Sequence, residues 1–346
     1  MMTTTMRTSF DCALFDIDGV LVDIRRSYNE AIKKTVNFVL AQSGIKDMRG
    51  LVTDRLILKF RQSGGFNNDT DTSYAIALAA LLFARARQDN RIKKKTTTAT
   101  AAKTAKTTMS VAGARSFLME VAANADETGI KSVERFLSEK EKFDVSKTKE
   151  MLAYPAPVKD SYIGRVFDEL FYGPALFKKQ NGGLEPKYCS DTKKPLIDND
   201  KLVVSKTTMK VLHKKFGGRL AIVSGRSRLA AEYSLEPVMP YFDIDACVFL
   251  EDERREYAKP NPYAAKRAMK AMGAKNVLYC GDSAEDMLMA RRAQKETGLP
   301  ITFVGIYGFS PEPAKTLKLF RESGAEAVAK NVDLLPKLLI NKVKPA

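Results

Sequence analysis

Acidic residues end two apolar, strand-like runs that lie far apart in the sequence. Asp16 and Asp18 stand at the end of DCALFDIDGVLV, and NVLYCGD ends in Asp282, with Asp286 four residues on. If both runs are strands of one parallel sheet, their carboxyl ends meet at the edge where such sheets bind ligands. Carboxylates crowded there repel one another unless a cation shares the site. A few hard oxygen ligands with room for water favour Mg²⁺.

Two further strand ends carry polar residues. The run RLAIVS (219–224) ends in Ser224, and Lys259 follows the run ACVFL (246–250). A hydroxyl at the start of a helix can hold a phosphoryl oxygen together with backbone N–H groups, and a lysine adds fixed positive charge. Singly, each pattern fits a turn or a helix cap, because Asp, Ser and Gly favour both. Together they indicate one functional site.

The pattern of strands and helices predicts which part of the chain positions this site. Beyond Asp198 short apolar runs alternate with helical stretches, which indicates a Rossmann-like, doubly wound parallel sheet. The strand near the N-terminus must join that sheet, so the mostly helical block between them is an insertion. We predict an α/β core of residues 7–24 and 196–346, with an inserted all-α unit, residues 25–195. SYNE, at Ser27–Glu30, is a capping-box pattern at the start of a helix.

Composition excludes several classes of protein. With 346 residues, 45% hydrophobic and 28% charged, the chain is typical of globular proteins rather than fibrous or disordered ones. The longest apolar run, AIALAALLFA (75–84), is shorter than the roughly 20 residues that span a bilayer, so we expect a buried helix and no membrane partner. The first nine residues lack the apolar region of a secretory signal, and the four scattered cysteines lack a CxxC pair. We therefore expect a cytoplasmic protein with free thiols.

The net charge of +16 raises the question of a nucleic-acid partner. Half of the excess comes from nine basic residues against one acidic residue between Arg85 and Ser116. The middle of this stretch is low-complexity Lys/Thr/Ala sequence, so we predict a solvated basic loop at about 91–110. Residues 84–116 contain no aromatic side chain on which bases could stack. A module that binds nucleic acid through this loop is therefore the weaker alternative.

Four segments, DIDGVLVD, AIVSGRS, AKPNP and YCGDSAED, resemble in this order the four motifs of the haloacid dehalogenase superfamily. The resemblance is to subfamily IA, which includes phosphoglycolate phosphatase-like hydrolases with a helical cap. Most members are Mg²⁺-dependent phosphatases, so the resemblance implies a hydrolase that uses Mg²⁺ as its cofactor. It covers the core, and the inserted block resembles the cap of the family in position and helix content.

The resemblance also implies a role for each motif residue. Asp16 attacks phosphorus to form an aspartyl-phosphate, and Asp18 protonates the leaving oxygen and then activates water. Mg²⁺ is held by Asp16, the backbone carbonyl of Asp18 and Asp282, while Asp286 acts directly or through a bound water. The remaining motif residues are Ser224, which binds a phosphoryl oxygen, and Lys259, which neutralises charge.

Several residues near the motifs are candidates for substrate contacts. They are Gly225, Arg226, Arg25, Arg26, Asn67 and Asn68. Residues 67–69 could equally form a turn that caps the next helix.

The second aspartate of DIDG also sorts the reactions of the superfamily. Dehalogenases lack it, and phosphonatases usually replace it and use a cap lysine, so Asp18 favours ester hydrolysis. We expect a small phosphorylated metabolite as substrate. A sugar phosphomutase shares all four motifs and stays open as the alternative enzyme, and the sequence leaves the oligomeric state undetermined.

Overall fold

The chain divides into two compact units, each with its own core. A computed structural model describes residues 9–66, 68–96 and 110–339. For residues 88–96 it describes the backbone only. The core unit consists of Met1–Ile24 and Asn199–Ala346, and the helical unit is Arg25–Asp198. The helical unit is thus inserted near the N-terminal end of the core unit, between Ile24 and Asn199. This arrangement confirms the predicted α/β fold class with an inserted helical unit.

A parallel sheet forms the centre of the core unit. Its described strands, together with a short separate ribbon, are β1 (Cys12–Phe15), β2 (Val22–Asp23), β3 (Lys201–Leu202), β4 (Leu220–Ser224), β5 (Val248–Phe249), β6 (Val277–Gly281), β7 (Ile301–Ile306) and β8 (Ala327–Ala329). The sheet has the order β5-β4-β1-β6-β7-β8. Phe15 lies opposite Ile222 on one side and Cys280 on the other. The N-terminal strand therefore lies between the strands that precede Ser224 and Asp282.

Sequence pattern explains the central strands well and the short ones poorly. Strands β1, β4 and β6 are fully buried, as expected for apolar runs covered on both faces. Neither β8 nor the antiparallel ribbon in which Val22 pairs with Leu202 is predicted from the sequence. Strands of two or three residues are too short for a periodicity to identify them.

Helices cover the sheet and build the whole of the helical unit. In the helical unit they are α1 (Tyr28–Gln42), α2 (Asp54–Arg61), α3 (Asp69–Thr96), α4 (Val111–Ala123), α5 (Ile130–Arg135), α6 (Ser146–Leu152) and α7 (Tyr162–Gln180). In the core unit they are α8 (Lys206–Lys215), α9 (Arg228–Leu235), α10 (Tyr263–Ala271), α11 (Ala284–Thr297), α12 (Pro313–Glu322) and α13 (Leu335–Leu338). Helix α1 packs against α3 and α7. Among the described residues, no helix combines the length and apolarity that crossing a bilayer requires.

Two local expectations for the helical unit are corrected. Helix α1 follows Ser27, but Ser27 makes no side-chain cap hydrogen bond, because its backbone (φ −112°, ψ −84°) is not the extended conformation of a capping box. Glu30 pairs instead with Lys33 at 2.7 Å. The first residues of the basic loop expected at about 91–110 are helical, because α3 continues to Thr96 through residues that favour helix. Residues 97–109 of that segment lie outside the described residues.

One buried carboxylate fixes the segment that follows α7. Glu169 has a fully buried side chain that accepts the backbone N–H groups of Lys187, Tyr188 and Cys189 at 2.6–2.7 Å. Arg165, one turn earlier in α7, supplies the compensating positive charge at 2.9 Å. A buried carboxylate that is paired and fully hydrogen-bonded is stable where an unpaired one is not.

We predict that Glu169→Gln lowers the free energy of unfolding of the helical unit by about 2–3 kcal/mol, because charge-assisted hydrogen bonds are lost and the new NH₂ group faces N–H donors. Urea unfolding followed by circular dichroism measures the change. Glu185→Gln is the control, since that side chain is 73% exposed in its pair with Lys178. Equal effects of the two substitutions would contradict this account of the loop.

Candidate active site

Three carboxylates meet at the carboxyl edge of the sheet. Asp16 directly follows β1, and its N–H donates to the carbonyl of Cys280 at 2.9 Å. Asp282 directly follows β6, and Asp286 lies in the first turn of α11. One carboxylate oxygen from each of Asp16, Asp282 and Asp286 lies within 4.8 Å of the others. The structure therefore brings together acidic residues that are far apart in the sequence.

A buried lysine lies between two of these carboxylates. Lys259 is 5% exposed, and its Nζ lies 2.9 Å from Oδ1 of Asp16 and 2.7 Å from Oδ1 of Asp286. Burial raises the pKa of Asp16 to about 7, against the opposing effect of Lys259. Burial lowers the pKa of Lys259, but the charges of Asp16 and Asp286 outweigh it and hold the pKa above its usual value. One positive charge thus faces three acidic groups, which favours a further cation.

Asp286 is the most firmly held member of the cluster. Its Oδ1 accepts from Lys259 Nζ and from the hydroxyl of Tyr279 at 3.0 Å. Its Oδ2 accepts from the hydroxyl of Ser283 at 2.7 Å and from the N–H groups of Asp282 and Ser283 at 3.2 Å. Ser283 and Asp286 form the capping box that opens α11. Both oxygens of this fully buried side chain are therefore already engaged.

Two glycines allow the carboxylates to approach the backbone. Gly19 has φ +72°, and a Cβ there would lie 2.0 Å from Oδ2 of Asp282. A Cβ at Gly281 would lie 2.4 Å from Cβ of Asp286. Real side chains do not approach so closely, so both positions require glycine. The sequence motifs DIDG and CGD contain these glycines, but only the structure shows what they accommodate.

Arg226, a candidate for substrate contact, lies in the interior of the core unit. It is 1% exposed, with Nε 2.6 Å from Oδ1 of Asp18 and Nη1 2.6 Å from Oδ2 of Asp200. Two acidic partners thus hold the guanidinium in the interior, and the substrate contact stays a prediction. Sequence reasoning missed Asp200, since it lies in an irregular segment between a 3₁₀ turn and β3 with no periodicity to mark it.

The surroundings of Ser224 also differ from expectation. Ser224 is fully buried at the end of β4, and its Oγ accepts the N–H of Arg226 at 3.4 Å. Helix α9 begins only at Arg228, and the N–H groups of Ser227 and Arg228 donate to Glu251 and Asp252 at 3.0 and 2.7 Å. These two N–H groups therefore already have acceptors. The sequence predicts instead that N–H groups at this helix start help to bind a phosphoryl group.

The other substrate candidates are distributed over both units. Gly225 is half-buried in the loop after β4, whereas Arg25 and Arg26 are exposed residues at the beginning of the helical unit. Asn68 caps α3, since its Oδ1 accepts the N–H groups of Thr70 and Asp71 at 2.8 and 3.2 Å. Asn67 lies outside the described residues.

Comparison with protein families agrees with this geometry. Residues 192–294 match the model of the haloacid dehalogenase-like hydrolase family. This segment of the chain is therefore similar to haloacid dehalogenase-like hydrolases. The matched segment contains Ser224, Lys259, Asp282 and Asp286 but not Asp16, which the insertion separates from it in the sequence. No curated protein matches the chain significantly.

Solved structures share the fold of this chain. A structural-genomics target solved by X-ray crystallography is 17% identical and superposes with a TM-score of 0.59, covering 96% of this chain and 99% of its own. Phosphatase Tt82 from Thermococcus thioreducens is 20% identical with a TM-score of 0.52, covering 90% of this chain and 99% of its own. At such identities the likeness concerns the fold.

We predict that Lys259→Gln lowers the free energy of unfolding of the core unit by about 3 kcal/mol when no divalent ion is present, because it leaves buried carboxylates without their cation. Thermal and urea unfolding in EDTA measure the change. Lys266→Gln is the matched control, since that lysine pairs with Glu296 at 2.6 Å on the surface and should contribute less than about 1 kcal/mol. Equal losses in free energy of unfolding for the two variants would show that the buried contacts of Lys259 stabilise the fold no more than a surface ion pair does.

Proposed function

We propose that the protein is a Mg²⁺-dependent phosphatase that hydrolyses a small phosphorylated metabolite through an aspartyl-phosphate on Asp16. The observation that carries the proposal is the meeting of Asp16, Asp282 and Lys259 at one sheet edge, with Asp18 two residues beyond the nucleophile. A carboxylate at a strand end can approach phosphorus in line with the leaving oxygen. The second aspartate, Asp18, provides the acid and base that ester hydrolysis needs.

The donor set fits magnesium. Oδ1 of Asp16 is buried and accepts no hydrogen bond of good geometry from the described residues, although Lys259 Nζ lies 2.9 Å away. Such an oxygen is suited to a hard cation. Asp16, the backbone carbonyl of Asp18 and Asp282 would hold the ion, and Asp286, with both oxygens engaged, would act through a bound water. When bound, Mg²⁺ supplies positive charge that reduces repulsion between the nucleophile and the phosphoryl group.

The side chains of this chain carry out two transfers. In the first, an oxygen of Asp16 forms a bond to phosphorus, the bond from phosphorus to the leaving oxygen breaks, and Asp18 gives its proton to that oxygen. In the second, Asp18 takes a proton from water, the water oxygen bonds to phosphorus, and the bond to Asp16 breaks. Phosphate leaves and both aspartates return to their starting states. Lys259 offsets negative charge on Asp16 and the phosphoryl group, and Ser224 donates to a phosphoryl oxygen.

We predict that Asp16→Asn lowers phosphate release at least about a thousandfold, because the amide cannot act as nucleophile. The assay measures phosphate release in Mg²⁺ from phosphorylated sugars, phosphorylated hydroxy acids, nucleotides and 4-nitrophenyl phosphate. Asp245→Asn changes an exposed aspartate of the same unit and should retain full activity. A wild-type protein that releases phosphate from none of these compounds, or an active Asp16→Asn variant, would refute the proposal.

Magnesium binding has a readout that does not depend on catalysis. Because an ion that binds only the folded state stabilises it, Mg²⁺ at about 100 times its dissociation constant should add about 2.7 kcal/mol to the free energy of unfolding. Differential scanning calorimetry with Mg²⁺ or EDTA measures this as a rise in melting temperature. The rise should disappear in Asp282→Asn and persist in Asp245→Asn. An equal rise in Asp282→Asn would place the ion elsewhere.

A further inference from the structure

The core unit contains a second buried charge cluster beside the metal-binding carboxylates. Arg226 is 1% exposed and lies between Asp18 and Asp200, whose side chains are 26% and 4% exposed. A buried arginine requires partners that compensate for the loss of water, and these two acids provide them. The cluster therefore joins Asp18, the acid and base of the proposed reaction, to a carboxylate that has no part in that reaction.

The contacts fix the direction of the guanidinium. Nη1 lies 2.6 Å from Oδ2 of Asp200 and 2.9 Å from Oγ of Ser234 in α9, and Ser234 in turn donates to Asp200 at 2.6 Å. Nε then donates to Oδ1 of Asp18 at 2.6 Å. Because the guanidinium is planar, holding Nη1 also sets where Nε points. Asp200 and Ser234 thereby determine where the Asp18 carboxylate is held.

We propose that Arg226 is a positioning residue for Asp18, anchored by Asp200, and this inference rests on the proposed phosphatase function. When Asp18 gives its proton to the leaving oxygen, the side chain that is left is a carboxylate. Arg226 stabilises that carboxylate and keeps it in place until it accepts a proton from the attacking water. The arginine itself forms no bond to substrate and exchanges no proton.

This role makes a distinctive prediction about leaving groups. Protonation matters most when the leaving oxygen is strongly basic, as in phenyl phosphate, and least when it is weakly basic, as in 4-nitrophenyl phosphate. Because departure of the phenol is effectively irreversible in these assays, kcat/KM reports only the steps up to that departure. The ratio of kcat/KM for the two esters does not depend on the fraction of correctly folded enzyme, so a purely structural role would not change it.

The experiment measures this ratio in Mg²⁺ for the wild type and for Arg226→Ala, Arg226→Lys and Asp200→Asn. General acid catalysis contributes about 10²- to 10⁴-fold, so Arg226→Ala should lower kcat/KM about 100-fold on phenyl phosphate and less than about fivefold on 4-nitrophenyl phosphate. Arg226→Lys should cause a smaller loss, because lysine keeps the positive charge but lacks the planar set of N–H donors of the guanidinium. Asp200→Asn should shift the ratio in the same direction. If Arg226→Ala does not fold, these two milder variants carry the test.

Two controls tie the effect to Asp18. In an Asp18→Asn background, Arg226→Lys should produce no further change in the ratio, because the residue being positioned no longer exchanges a proton. Arg228→Ala removes an arginine whose side chain is 58% exposed, in a pair with Glu232, and should leave the ratio unchanged. Equal losses on both esters for the Arg226 and Asp200 variants would overturn the positioning role alone. A wild type that hydrolyses neither ester would instead refute the proposed function.

Discussion

The mutual repulsion of buried carboxylates is the constraint on which the rest of the core unit depends. Three of them offer oxygens within 4.8 Å of one another. The protein offsets this cost with the buried ammonium of Lys259, with the hydroxyl of Tyr279 and with N–H groups at the start of α11. The sheet supplies the rigidity, because the first acidic residue follows the strand that lies between β4 and β6. The carboxylates whose mutual repulsion the core must offset are thus the same ones to which we assign the chemistry.

The two buried cations divide the acidic residues into groups with different tasks. Lys259 contacts Asp16 and Asp286, which we propose as the nucleophile and as a residue that acts on the metal ion. Arg226 contacts Asp18, for which we propose the proton transfer. Because like charges in a common cleft shift one another's ionisation, a separate partner for each group lets neighbouring carboxylates take different protonation states.

Sequence alone predicted the parts of the structure that depend on local pattern. The apolar runs identified the central strands, and the residues at their ends identified the acidic cluster, because strand ends of a parallel sheet converge. The capping of α1, the partners of Arg226 and the carboxylates at the start of α9 could not be predicted in this way. The first depends on the backbone conformation of Ser27, and the other two on side chains from distant segments, such as Asp200 and Glu251, whose positions follow from three-dimensional packing rather than from periodicity.

The central place of β1 in the sheet has a consequence for how the chain is made. On the ribosome, Cys12–Phe15 emerges long before its neighbours, which begin at Leu220 and Val277. Until then both edges of this apolar strand remain unpaired, while the whole helical unit is synthesised. Contacts between residues so far apart in the sequence form late in folding. The helical unit can complete its own packing during that interval, so synthesis from the N-terminus favours folding of the insertion before the sheet that it interrupts is complete.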